Sequence, residues 1–158
     1  MMREGNAAMV LRQDYTAPSH WIRDVDLTFE LEPLKTLVIS RMSVEPNADQ
    51  PGAPLRLDGE GITLTRVLVN GASISFRIDA GQLVLENLPS ETFHLEIRNT
   101  CSPEKNTELS GLYTSSGGFF TQCEAQGFRR ITYFLDRPDV MAVFKVTLRA
   151  DKSAYPVL

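Results

Sequence analysis

Long hydrophobic runs and a surplus of positive charge are both missing from this sequence. No window approaches the roughly 18 to 20 apolar residues that a membrane-spanning helix needs. Residues 1–10 place Arg3, Glu4 and Asn6 before any apolar run, unlike the hydrophobic core of a signal peptide, so we expect a cytoplasmic protein with no membrane partner. The net charge of −4 and the pI near 5.2 offer no basic surface for phosphates, which argues against nucleic acid as a partner.

Cysteine and histidine are scarce, with two of each in 158 residues. Cys101 and Cys123 have no metal-like spacing, and two thiols in a cytoplasmic protein are expected to be reduced and mostly buried. His20, beside Trp21, lies in a segment that precedes the first predicted strand, whereas His94 alternates with apolar residues and is predicted to face solvent. Neither belongs to a His-Glu-x-x-His helix, so this chain cannot build a zinc site of that kind.

Other catalytic signatures are missing as well. The sequence contains no Gly-x-Ser-x-Gly nucleophile turn and no glycine loop that could cradle a phosphate. Ser115-Ser116-Gly117-Gly118 has the glycines but no lysine and no helix after it, which is typical of the tip of a β-hairpin. We therefore expect no catalytic residue on this chain.

Apolar and polar residues alternate with a period of two along much of the chain. Residues 23–31 carry apolar side chains at 25, 27, 29 and 31, as in a strand with one buried face. Residues 36–44 resume this extended character after Pro33, which predicts an antiparallel hairpin. Residues 62–69 and 73–78 flank Asn70-Gly71, a dipeptide that favours a tight type I′ turn, and predict a second hairpin.

Shorter strands follow at regular spacing. Residues 83–86 form a short predicted strand between a turn at Ala80-Gly81 and a stop at Leu88-Pro89, and the same alternation covers residues 93–98 and 144–148. Their number and spacing indicate an all-β fold: an antiparallel β-sandwich, or a saddle-like pair of curved sheets, with one or two short helical turns. A chain of 158 residues, 42% of them hydrophobic, suffices for one domain with a core that needs no disulfide or structural metal.

Helix and loop are predicted in few places. Helix is plausible only for residues 124–132 and for a single turn after Asp136, where Asp136 can cap and Pro138 costs no hydrogen bond. Residues 47–54 and 102–107 are loops by composition.

A glutamate stands out at the end of one predicted strand. Glu124 follows the β-prone residues Phe119-Phe120-Thr121 and precedes a chain reversal at Gly127. This placement holds a carboxylate at a rigid edge, where ligand groups are often found. From the pattern alone, a glutamate that opens a helix, favoured there by the helix dipole, is the better interpretation.

Three segments carry a resemblance to a known family: residues 111–115, Thr121-Gln122-Cys123-Glu124 with the six residues that follow, and Asp136-Arg137-Pro138-Asp139. They resemble the N-terminal domain of the M1 metalloaminopeptidases, most closely the bacterial aminopeptidase N branch. Asp14-Tyr15, Ala17-Pro18 and residues 24–29 and 53–59 also look like that branch. Many animal members have Asp-Glu-Pro where this chain has Asp136-Arg137-Pro138, which favours the bacterial subgroup.

The resemblance implies a substrate-binding site on this chain. In that family a glutamate at the position of Glu124 binds the free α-ammonium of the peptide, and a glutamine at the position of Gln122 lines the pocket for the first side chain. The implied partners are peptides with a free N-terminus. Because a carboxylate paired with an ammonium rejects peptides whose N-terminus is blocked or internal, such an anchor makes an exopeptidase.

The arginines and aspartates after Glu124 are expected to serve structure. They flank Phe128, Tyr133 and Phe134, which suggests ion pairs that hold the segment carrying Glu124 over an aromatic base. The alternative is direct contact of Arg129 or Arg130 with the substrate.

The resemblance also implies components that residues 1–158 lack. The family's Gly-Ala-Met-Glu-Asn segment and its zinc helix are absent, so we expect the zinc cofactor and the catalytic domain elsewhere on the same polypeptide. The chain then reads as an excised, single N-terminal β domain, inactive alone, with an apolar face exposed near residues 113–124. The alternative is a stand-alone β-sandwich that binds a protein or a carbohydrate.

Overall fold

The computed structural model describes residues 11–157, and in that range the chain is built from strands. In chain order these are β1 His20–Glu30, β2 Thr36–Pro46, β3 Leu55–Asp58, β4 Thr63–Val69, β5 Ala72–Ser73, β6 Phe76–Asp79, β7 Gln82–Leu85, β8 Phe93–Cys101, β9 Gly111–Ser115, β10 Gly118–Gln122 and β11 Val143–Arg149. Short 3₁₀ turns cover Arg12–Asp14, Pro103–Lys105 and Phe128–Arg130. The all-β prediction is confirmed, as are the two predicted loops.

Residues 11–157 include no helix long and apolar enough to cross a membrane. The interpretation of residues 1–10 concerns a segment outside the described residues.

The largest sheet has six strands in the order β11-β1-β2-β8-β4-β5. The predicted hairpin of β1 and β2 is confirmed, with Leu27 opposite Ser40. The pairs of this sheet are antiparallel except at one edge, where β11 runs parallel to β1 from Asp24 opposite Val143 to Glu30 opposite Arg149. Parallel strands need a long connection, and residues 31–142, which contain β2 to β10, join β1 to β11.

A second layer covers one face of this sheet. It consists of the three-stranded sheet β3-β7-β6 and the hairpin of β9 and β10. The inward residues of both layers form one buried cluster, which includes Val25, Met42, Phe93, Leu95 and Ile97 from the large sheet and Leu55, Leu57, Leu83 and Leu85 from the small one. Burial of this apolar surface is the main term that stabilises the arrangement.

The second predicted hairpin is right at its turn and wrong in its length. Asn70 and Gly71 have φ of 49° and 81°, as a type I′ turn requires. Only β5 continues the pairing with β4, however, because the chain leaves the large sheet after Ser73 and β6 pairs with β7 instead. The short link between β5 and β6 therefore carries the chain from the large sheet to the small one.

The helix predicted for residues 124–132 is not formed. Only the 3₁₀ turn Phe128–Arg130 is present. Gln126 has φ of 66°, outside the helical region, and the carbonyl of Ile131 accepts a hydrogen bond from Asn99 Nδ2 at 2.8 Å. The left-handed backbone at Gln126 breaks the segment, because an α-helix needs a negative φ at every residue. The turn after Asp136 is present, closed by Val140 N donating to the carbonyl of Arg137 at 3.2 Å.

Candidate functional site

The hairpin of β9 and β10 carries the candidate residues to its open end. Gln122 is the last residue of β10 and pairs with Gly111 of β9. Residues 123–127 then form one turn, in which Gly127 N donates to the carbonyl of Cys123 at 2.8 Å. The peptide bond between Glu124 and Ala125 in this turn is cis. Glu124 thus stands on a turn at a strand end and does not open a helix.

Glu124 and Gln122 are both exposed on this turn. Gln122 Nε2 donates to the main-chain oxygen of Glu124 at 3.1 Å, so the two residues are in direct contact. Among residues 11–157, no lysine, arginine or histidine forms an ion pair with the Glu124 carboxylate. The structure therefore presents a carboxylate that is open to a cationic ligand.

Two glycines allow this turn to close tightly. A Cβ on Gly127 would meet the carbonyl oxygen of Gln122 and would lie 2.9 Å from Ser110 Oγ. Gly127 has φ of −87° and ψ of −19°, which any residue can adopt, so lack of space requires the glycine here. Gly111 has φ of 78°, and a Cβ there would lie 2.6 Å from the Cβ of Arg130.

Two arginines tie the chain after the turn to neighbouring segments. Arg129 donates from its main-chain N and from Nε to Asp136 Oδ2, at 3.2 and 2.9 Å. Arg130 Nη2 lies 2.7 Å from Glu60 Oε1. These contacts confirm the predicted ion pairs, while direct contact of either arginine with a substrate stays a prediction.

The predicted aromatic base is present, although one residue lies apart from it. Phe128 packs edge-on against Phe134 and Phe144, with ring centroids 5.0 and 5.7 Å apart. Tyr133 packs instead against Gly59, where an added Cβ would overlap its ring. Edge-to-face aromatic pairs contribute about 0.5–1.5 kcal/mol beyond their burial, so this cluster gives the turn a firm support.

A buried polar pair supports the same segment and was missed from the sequence. Thr132 Oγ1 donates to Asn99 Oδ1 at 2.8 Å, and both residues are fully buried. A signal for Asn99 was available, because it continues the inward series of Phe93, Leu95 and Ile97 along β8. A polar residue at an inward position needs a buried partner.

An open apolar groove of about 410 Å³ lies beside the turn, between the large sheet and the β9–β10 hairpin. Its walls include Leu27, Phe29 and Leu31 of β1, Phe144, Val146 and Leu148 of β11, and Phe119, Phe120, Thr121 and Cys123. Phe120 and the three β11 residues remain 45–53% exposed. The predicted apolar face near residues 113–124 is confirmed, and Thr121 and Cys123 place it next to Gln122 and Glu124.

The two thiols differ in environment. Both are free, but only Cys101 is buried and Cys123 is exposed, so the expectation of two mostly buried thiols is wrong for Cys123. The reason is that Cys123 lines the open groove. Burial raises the pKa of Cys101 to about 11, whereas partial burial and then the charge of Asp136 raise the pKa of Cys123.

The histidines build no metal centre. His20 is the first residue of β1, contrary to the prediction that it precedes the strand, and it is buried with Ser19 Oγ 2.9 Å from its Nδ1. Burial lowers the pKa of His20. His94 is exposed, as predicted. Residues 11–157 contain no group of three or more His, Cys, Asp or Glu side chains placed to hold a metal ion, so a zinc ion fits no site among them.

Residues 22–157 match the family model of the peptidase M1 N-terminal domain. The chain belongs to this family. It is 48% identical over 148 residues to aminopeptidase N of Escherichia coli (strain K12), covering 93% of this chain and 17% of that protein. It is 37% identical over 153 residues to aminopeptidase N of Caulobacter vibrioides, covering 95% of this chain and 18% of that protein.

Solved structures agree with this membership. The crystal structure of Legionella pneumophila aminopeptidase A in complex with aspartic acid has a TM-score of 0.82 at 31% identity, over 92% of this chain and 18% of that one. An M1 zinc metallopeptidase of Deinococcus radiodurans bound to a Tyr-Ser-Ala substrate shares the fold, with a TM-score of 0.72 at 20% identity over 85% of this chain and 33% of that one. This M1 domain therefore spans less than a fifth of the length of the two curated relatives above.

Proposed function

We propose that this chain is the substrate-anchoring N-terminal domain of a zinc-dependent aminopeptidase, in which Glu124 binds the free α-ammonium of the peptide. The observation that carries the proposal is the exposed Glu124 carboxylate, which has no cationic partner among the described residues although its turn is tightly held. Family membership favours a peptidase over a stand-alone module that binds protein or carbohydrate.

The chemistry of an ammonium suits this carboxylate. The α-amino group of a peptide titrates near pH 7.7–8.0, so it is largely charged at neutral pH. A charge-assisted hydrogen bond between ammonium and carboxylate is about twice as strong as a neutral one, and it strengthens further where water is excluded. A peptide with a blocked N-terminus offers no charge and leaves Glu124 unpaired. The anchor would therefore select the first residue of a chain.

Gln122 is proposed to line the pocket for the first side chain of the peptide. Its side chain is exposed beside Glu124. The hydrogen bond to Glu124 uses only the amide nitrogen Nε2, so the amide oxygen Oε1 can accept a bond from another group. A neutral contact of this kind contributes about 0.5–1.5 kcal/mol, less than a charged pair.

The proposed partner is the remainder of the parent polypeptide, which would supply the zinc ligands that residues 11–157 do not bring together. We place its contact at the apolar groove. Thr121 and Cys123 line that groove directly beside Gln122 and Glu124, so a domain packed there would also shield the anchor from water.

The decisive experiment replaces Glu124 in the full-length enzyme. Glu124→Ala and Glu124→Gln should each lower kcat/KM for unblocked peptides by about 2–5 kcal/mol, or roughly 30-fold to 5,000-fold, as expected when one partner of a buried charge pair is lost. Zinc content and melting temperature should stay unchanged. Glu91→Ala removes another exposed glutamate that has no ion pair among the described residues, and it should keep wild-type efficiency.

A Glu124→Ala enzyme that keeps wild-type efficiency and still discriminates against N-acetylated peptides would show that the anchor lies elsewhere.

A further inference from the structure

The side chain of Gln122 bridges two parts of the turn that carries Glu124. Its main chain is held by the pairing of β10 with β9, opposite Gly111. From this fixed point, Nε2 reaches forward two residues and donates to the main-chain oxygen of Glu124 at 3.1 Å. The bond therefore connects the end of a regular strand to the residue whose carboxylate is the proposed anchor.

No main-chain N–H of the described residues donates to that oxygen. The backbone hydrogen bond of this turn runs from Gly127 N to the carbonyl of Cys123. The carbonyl of Glu124 instead accepts its hydrogen bond from the side-chain amide of Gln122. A carbonyl held by a side chain restricts rotation about the main-chain bonds on either side of it. The direction of the Glu124 Cα–Cβ bond follows from those rotations.

The other end of the turn also closes on Gln122. Gly127 packs so near the Gln122 carbonyl oxygen that an added Cβ would overlap it. Gln122 thus touches the turn twice, with its main chain at Gly127 and with its side chain at Glu124. Exposed carboxylates on unsupported turns sample many directions, and ordering one only on binding costs affinity.

We propose that Gln122 is a positioning residue for Glu124: its amide holds the Glu124 main chain so that the carboxylate points at the ammonium before the peptide arrives. This inference rests on the proposed function of Glu124 and is an alternative to the pocket-lining role of Gln122. The two roles differ in what they predict. A pocket wall affects peptides according to their first side chain, whereas a positioning residue affects all of them equally and acts only through Glu124.

The test uses the full-length enzyme with Gln122→Met, which keeps the length of the side chain and removes the donor. The substrates are chromogenic aminoacyl compounds with small, aliphatic, aromatic and cationic first residues. We expect kcat/KM to fall by about the same factor, roughly threefold to tenfold, for every substrate, as the loss of one neutral hydrogen bond implies. Gln13→Met, at an exposed glutamine far along the chain from the turn, is the matched control and should change nothing.

The double variant separates positioning from a merely structural effect. In a Glu124→Ala background, Gln122→Met should cost less than about twofold, because a residue that acts through Glu124 has nothing left to position. Melting temperatures of all variants should agree. A loss that varies with the first side chain and persists in the Glu124→Ala background would overturn the inference and leave Gln122 as a pocket wall. If Glu124→Ala alone costs nothing, the proposed anchor fails and this inference fails with it.

Discussion

Arg129 holds Asp136 with its main chain and its side chain at the same time. One carboxylate oxygen, Oδ2, accepts from the backbone N at 3.2 Å and from Nε at 2.9 Å, and Arg129 Nη2 donates to the Asp136 carbonyl at 3.2 Å. Both side chains are mostly buried, which makes the pair more than a surface contact. The chain that leaves the Glu124 turn is thereby fixed to the segment that leads to β11.

Gly127→Ala should destabilise the domain. The backbone at Gly127 suits alanine, so the cost comes from the overlap of a Cβ with the Gln122 carbonyl and with Ser110 Oγ. Overpacking of this kind costs about 1–3 kcal/mol in the free energy of unfolding, measurable by urea denaturation. Gly118→Ala is the control, because a Cβ there would meet only the movable ring of Phe120 and the Ser115 carbonyl. Equal losses for the two variants would contradict the steric explanation.

Acidification from pH 7 to pH 5 should destabilise the domain through His20. Because burial lowers the pKa of His20, the folded protein takes up this proton less readily than the unfolded chain, whose histidine pKa is near 6.5. The stability that depends on neutral His20 is thus fully present above pH 6.5, and it is lost as the pH falls below the pKa of the unfolded chain. In urea denaturation at several pH values, His20→Leu should reduce this dependence and His94→Leu should keep it. A His20→Leu protein with the wild-type pH profile would sink the prediction.

Purified residues 1–158 should bind no stoichiometric zinc and should release no amino acid from chromogenic aminoacyl substrates. The reason is that residues 11–157 assemble no cluster of metal-binding side chains. Metal analysis and an absorbance assay check the two halves of the prediction, with the full-length enzyme as the positive control. Turnover by residues 1–158 that chelators abolish would prove it wrong.

Cys123 should report whether the groove is covered in the parent enzyme. In residues 1–158, a maleimide should modify exposed Cys123 and spare buried Cys101, as read by peptide mass spectrometry. The raised pKa of Cys123 keeps its thiolate scarce near neutrality, so the rate should climb about tenfold per pH unit there. In the full-length enzyme the modification should be at least about tenfold slower. Equal rates in the two proteins would show that the groove stays open.

Alternation along the chain was sufficient to predict most strands, because a strand with one buried face must repeat with a period of two. β1, β2 and β8 follow this rule, and Asn70-Gly71 marks its turn through local conformational preference alone. The family and the candidate pair Gln122 and Glu124 were likewise accessible from local motifs, since each motif is a short contiguous segment.

Long-range contacts set the features that local pattern predicted wrongly or did not address. Helix is predicted for residues 124–132, yet Gln126 adopts φ of 66° in a turn whose Gly127 packs against Ser110. The exposure of Cys123 depends on where the β9–β10 hairpin packs against the large sheet, and the place of β11 depends on its pairing with β1 near the other end of the chain. Local pattern encodes which face of a strand is apolar. The group that bonds to a given carbonyl, or that covers a given face, often lies far away in the chain. No short segment contains that information.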